Sequence, residues 1–137
     1  MAQFVELENG DILNRSCINL LYPHVGIKND SEKIEVRASI RIECNDGRME
    51  LIAETSTAHF PDQVPDKEME IYELFWTERE NLEKAIRDLF PHIVHGLFLD
   101  LNIYYPSLAI REQLQRSVKE ATDRIAEAAK KMEAEDE

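Results

Sequence analysis

Residues 34–57 read IEVRASIRIECNDGRMELIAETST, and this segment decides the fold class. Apolar and polar side chains alternate over residues 34–44, so all the apolar ones lie on one face of an extended chain. The sequence Asn-Asp-Gly at 45–47 is typical of a tight turn. Alternation resumes over residues 49–57, although the second half of that stretch is less apolar. The segment therefore predicts an antiparallel hairpin with one buried and one solvated face.

The residues around this hairpin predict further strands. Residues 11–22 are rich in strand formers and end at Pro23, and residues 4–8 are expected to pair with them across a turn at Asn-Gly. Two prolines make a loop of residues 61–67. Residues 71–76 are either a fourth strand or the first turns of a helix, because periodicity does not decide so short a run. We expect the strands to occupy about 4–60, extending to 76 in the first alternative.

A first helix is predicted over about 78–101. Thr77 and Glu80 have the spacing of a capping box at its start. Apolar residues then recur at three- and four-residue steps as far as Leu101, which gives one broad apolar stripe. Pro91 falls inside this pattern and is expected to bend the helix near Arg87.

A second helix is predicted over about 107–133, with Ser107 as its N-cap and a frayed acidic tail at 134–137. Its apolar residues follow the spacing of a coiled-coil seam: Ile110, Leu114, Val118, Ala121, Ile125, Ala128 and Met132. The first helix is too short to cover this length, so the part beyond Ala121 is expected to meet another subunit. This predicts a homo-oligomer, of which a symmetric dimer is the simplest form. The predicted oligomer seam consists of Leu114, Val118, Ile125 and Met132.

Together these elements predict a single α+β domain over residues 1–137. An antiparallel sheet of three or four strands is followed by two C-terminal helices, the second of which is long and coiled-coil-like. A hydrophobic fraction of 43% excludes a disordered chain.

Charge and hydropathy restrict the functional classes. The chain has 16 basic and 28 acidic residues, a net charge of −12, which would repel a phosphate backbone. We therefore expect no direct binding of nucleic acid. No stretch approaches the roughly 18 apolar residues of a membrane span, and residues 1–6 do not resemble the start of an export signal. We expect a cytoplasmic protein that does not enter a membrane.

No catalytic motif, phosphate-binding glycine loop or cofactor motif is visible, so we expect neither an enzyme nor a bound cofactor or metal. His92 and His95 can share a helical face, but no further ligand recurs at metal-binding spacing. Cys17 or Cys44 could act as a nucleophile if a histidine lay alongside, but Cys44 falls on the apolar phase of a strand, where free cysteine behaves as a small hydrophobe. An acidic cluster matches no calcium-loop spacing and is expected to be solvated: Asp62, Asp66, Glu68 and Glu70.

Aromatic residues are concentrated between the end of the predicted sheet and the helix junction. Most of them are expected in the core, but an incompletely covered group would form a binding surface. The candidate contact residues for a client or partner are Phe60, Tyr72, Phe75, Trp76, Tyr104 and Tyr105.

The order of elements resembles that of the SecB-type export chaperones. The likeness covers about residues 34–110 and includes Leu-Phe-Pro at 89–91 and Tyr-Pro at 105–106. It implies a four-stranded antiparallel sheet, a long helix, a connecting loop and a final helix, assembled as dimers of dimers. The chain departs from the family in its short N-terminal strand region and in the 61–67 loop, which replaces a glycine-rich stretch.

This resemblance and the aromatic group predict a non-enzymatic chaperone that holds unfolded or exported clients. The alternative is a small acidic adaptor or inhibitor, of the phage or mobile-element type, that binds a nucleic-acid-handling protein by charge mimicry. Its negative surface would lie on the solvated face of the hairpin and comprise Glu35, Glu43, Glu50 and Glu54.

Overall fold

The structure is a computed structural model that describes residues 1–30, 32–62 and 68–135. Sheets are followed by C-terminal helices in a mixed α+β arrangement, as predicted. Their order is β1 (Phe4–Glu6), β2 (Ile12–Asn14), β3 (Ile18–Asp30), β4 (Lys33–Cys44), β5 (Met49–His59), α1 (Glu68–Arg87), α2 (Phe90–Leu97), β6 (Ile103–Tyr104) and α3 (Pro106–Glu135).

The main sheet is an antiparallel meander in the order β3-β4-β5. The predicted hairpin is confirmed as β4 and β5, and its turn contains Gly47 at a φ of 87°, a conformation that suits glycine. The alternating apolar residues of β4, from Ile34 to Cys44, are all buried on the face that the helices cover. The helix layer and this sheet face enclose the core.

A β-bulge changes the phase of β5. Ile40 lies opposite Ala53, but the next residue, Arg41, lies opposite Leu51, so Ile52 has no partner of its own. Ile52 and Ala53 are consequently both buried although they are neighbours in sequence. Beyond the bulge, Leu51 faces the side of the sheet that Arg41 faces, away from the helices. The uninterrupted alternation predicted for residues 49–57 is therefore wrong.

The predicted strand at 11–22 is two strands joined by a 3-10 turn at Arg15–Cys17. The Asn14 side chain caps this turn by accepting a hydrogen bond from the Ser16 amide at 2.9 Å. The second strand, β3, does not end at Pro23 but continues to Asp30. Proline is tolerated there because β3 is an edge strand of its sheet.

A second small sheet has the order β2-β1-β6. The predicted pairing of the first strand with the next one is confirmed by the antiparallel β1–β2 ladder. The parallel pairing of β1 with β6, in which Phe4 lies opposite Ile103, was not predicted because β6 has only two residues.

Residues 71–76 are helical, since α1 begins at Glu68. Thr77 therefore lies inside the helix, and the predicted capping box is wrong. The expected helix over 78–101 is two helices, because α1 ends at Arg87 and α2 begins at Phe90. Pro91 lies in the first turn of α2, where no backbone donor is needed, and so it starts a helix instead of bending one.

The long C-terminal helix is confirmed as α3, which packs mainly against β5 and also against β4 and α1. Leu114, Val118 and Ile125 are fully buried within the chain, and Ala129, one turn after Ile125, is buried as well. From Ala121 to Ala129 the apolar side of α3 is covered within the chain, so the expected exposed overhang is absent from these residues. These side chains are core residues, so they do not form the predicted oligomer seam; Met132, the last of that set, is half-buried.

Polar contacts join α3 to its neighbours. Glu78 on α1 is buried, and its carboxylate accepts from the Arg124 guanidinium at 2.9–3.2 Å in a two-oxygen contact. The Thr122 hydroxyl donates to the Val118 carbonyl oxygen and also meets the hydroxyl of Thr57 on β5. Such paired polar groups explain how the less apolar half of β5 faces the core.

Candidate functional site

One side of α1 carries a stripe of partly exposed residues at three- and four-residue spacing. Tyr72, Trp76 and Arg79 lie on this side, and half-buried Phe75 lies at its margin, where it packs against the core beside buried Ile71. The helical period thus separates a core-facing side of α1 from a side that flanks the edge of the main sheet.

The stripe and strand β3 form a groove of about 260 Å³. Its helical wall is built by Tyr72, Phe75, Trp76 and Arg79, and its strand wall by Ile27, Lys28 and Asn29. Two of the three aromatic rings are largely uncovered, since Tyr72 is 70% and Trp76 is 54% exposed, whereas Phe75 packs against the core. Exposed aromatic surface of this kind is typical of a binding site.

The groove continues into a second cavity of about 210 Å³, with which it shares Ile27, Lys28 and Arg79. The other lining residues are Gly26, Glu35 and Arg37. Tyr72 and Asn29 line only the first cavity, whereas Gly26 lines only the second, which Arg79 also reaches, so α1 and β3 run in opposite directions along the groove. We call the two connected cavities the β3–α1 groove.

Strand β3 presents a free edge to this groove. Within the described residues it pairs only with β4, so alternate amide and carbonyl groups on its other side have no strand partner. An edge strand beside an aromatic surface is the arrangement that binds an extended peptide by adding a strand.

The charge around the groove is positive although the protein is acidic. Lys28 lies 4.0 Å from Asp30, while Lys33 and Arg37 each lie 3.4 Å from the carboxylate of Glu35. Of the side chains that line the two cavities, Lys28, Arg37 and Arg79 are basic and Glu35 is acidic.

Of these basic side chains, Arg79 has the fewest hydrogen-bond and ion-pair partners within the described residues. Its Nε is buried and has no hydrogen-bond partner, and the described part of the chain provides no ion pair to its guanidinium. A buried donor without a hydrogen-bond partner is unfavourable.

His24 lies on β3 beyond the Arg79 end of the groove. His24 is exposed, but partial loss of its hydration, followed by the positive charge of Arg41, lowers its pKa, and Arg79 adds to this effect. Glu54 and Glu83 oppose it. The neutral imidazole is therefore favoured in the folded protein.

A separate cleft of about 490 Å³ lies between the end of β5 and α3. Phe60, which is 68% exposed, lines it together with His59, Pro61, Ala126 and Lys130. It is at the same end of the sheet as the aromatic part of the β3–α1 groove, because Ile34 lies opposite both Asn29 and His59. Phe60 thus lines a different cavity from Tyr72 and Trp76, although both cavities are at the same end of the sheet.

The remaining predicted contact residues lie elsewhere. Tyr104 is buried, and its ring covers Gly96 of α2 so closely that a methyl group there would overlap it. Tyr105 is partly exposed where β6 leads into α3. The structure therefore joins Tyr72, Phe75 and Trp76 in one site and separates them from the other three predicted residues.

The hairpin carboxylates do not form one negative face. The bulge places Glu50 opposite Ile42, on the side of the sheet away from Glu43, and the prediction for Glu50 is wrong. Glu35 is paired with Lys33 and Arg37, and Glu50 lies 3.8 Å from Arg48.

His92 and His95 are both exposed, and no group of three or more metal-ligating side chains occurs among residues 1–30, 32–62 and 68–135. Cys44 is buried, which raises the pKa of its thiol, and both cysteines are free. Of the predicted acidic cluster, Asp66 lies outside the described residues. None of the helices described is long and apolar enough to cross a membrane.

Sequence reasoning missed Arg79 and the strand wall of the groove. Arg79 follows Phe75 by four residues and Trp76 by three, a spacing that has meaning only once residues 71–76 are known to be helical. The strand wall lies beyond Pro23, where the predicted strand ended.

No protein-family model, no curated protein and no solved structure matches this chain.

Proposed function

We propose that this protein is a non-enzymatic, cytoplasmic, SecB-like chaperone that holds extended segments of unfolded or exported proteins. The observation that supports this proposal is the β3–α1 groove, in which exposed Tyr72 and Trp76 flank a free strand edge. A folded domain normally covers such rings, whereas a holding chaperone needs them accessible.

Client binding would combine apolar contacts from side chains with hydrogen bonds from the backbone. The aromatic rings remove apolar client side chains from water, a gain that depends little on client sequence. Hydrogen bonds from the β3 edge recognise any extended backbone. The net charge of −12 keeps a complex with an aggregation-prone client in solution.

The acidic-adaptor alternative has less support from the geometry. Mimicry of nucleic acid requires a continuous negative surface, but Glu35 is paired with two basic side chains and Glu50 faces the other way. Assembly with further copies would need a surface other than Leu114, Val118 and Ile125, since these are buried within the chain.

The test is suppression of aggregation of two unrelated thermally unfolded proteins, followed by light scattering. The wild-type protein should suppress both, because the groove recognises features that all unfolded chains share. The Tyr72→Ser, Trp76→Ser double variant should lose most of this effect. Leu108→Ser is the matched control, because Leu108 is 79% exposed on α3 and outside the groove.

If the wild-type protein suppresses neither aggregation reaction, the chaperone proposal is wrong. Equal loss in the Leu108→Ser control would show that general surface hydrophobicity, and not the groove, holds the client.

A further inference from the structure

We infer that the β3–α1 groove selects extended segments in which a carboxylate side chain lies two residues from an aromatic one, and that Arg79 binds this carboxylate. The inference rests on the proposed function and specifies its ligand. It follows from three observations: the state of Arg79, the spacing along α1 and the charge around the groove.

The Arg79 guanidinium has a hydrogen-bond donor for which the described chain provides no acceptor. Its Nε is buried at the junction of the two cavities, and no side chain of the described chain accepts from it. The planar guanidinium presents a fork of donors that fits a carboxylate in two hydrogen bonds. Because Nε itself is closed to solvent, an incoming carboxylate would meet the terminal nitrogens of the guanidinium, and Nε would gain a partner only if the side chain turned.

The spacing of the helix fits an extended ligand. Arg79 lies three residues after Trp76 and seven after Tyr72, which corresponds to about 4.5 Å and about 10.5 Å along the helix axis. Alternate residues of a strand face the same side about 6.8 Å apart. The roughly 6.8 Å step of the ligand strand falls between the roughly 4.5 Å and 10.5 Å distances along α1. If an aromatic side chain of the ligand lies between Tyr72 and Trp76, the ligand side chain two residues away therefore lies at Arg79.

The surrounding charges favour an acidic ligand over a basic one. Lys28 and Arg37 line the same cavity as Arg79, and the one carboxylate there, Glu35, is already shared between Lys33 and Arg37. A lysine in place of the ligand carboxylate would meet like charges.

The chain contains a single tryptophan, Trp76, so its fluorescence reports on the groove alone. The probe is an end-blocked peptide with the central sequence Phe-Thr-Asp-Thr-Phe, which presents the spacing in either strand direction. Two further peptides carry asparagine or lysine in place of the aspartate. The aspartate peptide should bind at least about fivefold more tightly than the asparagine peptide, and the lysine peptide more weakly than both.

The Arg79→Gln variant identifies the group responsible. It should bind the asparagine peptide as the wild type does but lose the preference for aspartate. Arg87→Gln is the matched control, because it removes the same charge from an exposed position on the same helix. This control should keep the full preference.

Equal affinity of the wild type for the aspartate and asparagine peptides would overturn the inference, while suppression of aggregation by the same preparation would leave the proposed function intact. The inference would also fail if Arg87→Gln abolished the preference as fully as Arg79→Gln. A Trp76 spectrum that changes with protein concentration in the absence of peptide would show that a second copy fills the groove, and this would overturn the inference.

Discussion

Gly96→Ala should destabilise the protein, although glycine is unfavourable in helices. Replacing an interior helical glycine by alanine ordinarily stabilises by about 0.5–1 kcal/mol. Here the added methyl group would overlap the phenol ring of Tyr104. The ring has little room to move, because Tyr104 is buried and its backbone in β6 is paired with Val5 of β1.

Overpacking of this kind costs about 1–3 kcal/mol. After the stabilisation that alanine brings to a helix is subtracted, we expect the free energy of unfolding to fall by about 1–2 kcal/mol. For a domain of this size, this corresponds to a fall in Tm of about 3–8 °C. Urea denaturation followed by circular dichroism measures the change. Gly26→Ala is the control, because open space surrounds Gly26, and it should be neutral or slightly stabilising.

A second variant shows whether Tyr104 is the cause. Adding Tyr104→Leu to Gly96→Ala removes the atoms that the methyl group would overlap. The loss in the double variant should then be smaller than the sum of the two single losses by at least about 0.5 kcal/mol. If Gly96→Ala alone is as stable as the wild type, the Tyr104 ring does not pack on Gly96 and the reasoning is refuted.

Three further predictions concern the core, the α1–α3 contact and pH. Arg124→Ala should destabilise by about 2 kcal/mol because it leaves the buried Glu78 carboxylate unpaired, and adding Glu78→Gln should restore part of this in urea titrations. Ile125→Glu should abolish the cooperative thermal transition, since it places a carboxylate at a fully buried position; a variant that stays folded but becomes monomeric would contradict this. Because partial loss of hydration and Arg41 lower the pKa of His24, the unfolded chain binds the proton first, so stability should fall as pH drops below about 6.5, and His24→Gln should reduce that fall.

Sequence patterns predicted the elements that local chemistry determines. The β4–β5 hairpin and α3 have long periodic patterns, and Gly47 marks the turn. The pattern of α3 also identified its apolar side correctly, although it did not reveal that β5 and β4 cover this side along its length. Periodicity shows which side chains avoid water and not what covers them.

The errors arose where tertiary contacts override local signals. Thr77 and Glu80 match a capping box but lie inside α1, because the residues before them, Leu74 and Phe75, pack against the core as part of the same helix. The bulge at Ile52 reverses the faces of the residues before it and so moves Glu50. For the candidate site, Tyr72, Phe75 and Trp76 were predicted, whereas Arg79 required knowledge of which edge of the sheet α1 flanks.

The pairing of β1 with β6 has a consequence for the order of folding during synthesis. Phe4 meets Ile103, so this ladder closes only after most of the chain has left the ribosome. The β3-β4-β5 meander joins neighbours in sequence and can form well before that. We therefore expect the first strand of the protein to be among the last to reach its place, and nascent chains that stop before residue 103 to leave it without its parallel partner.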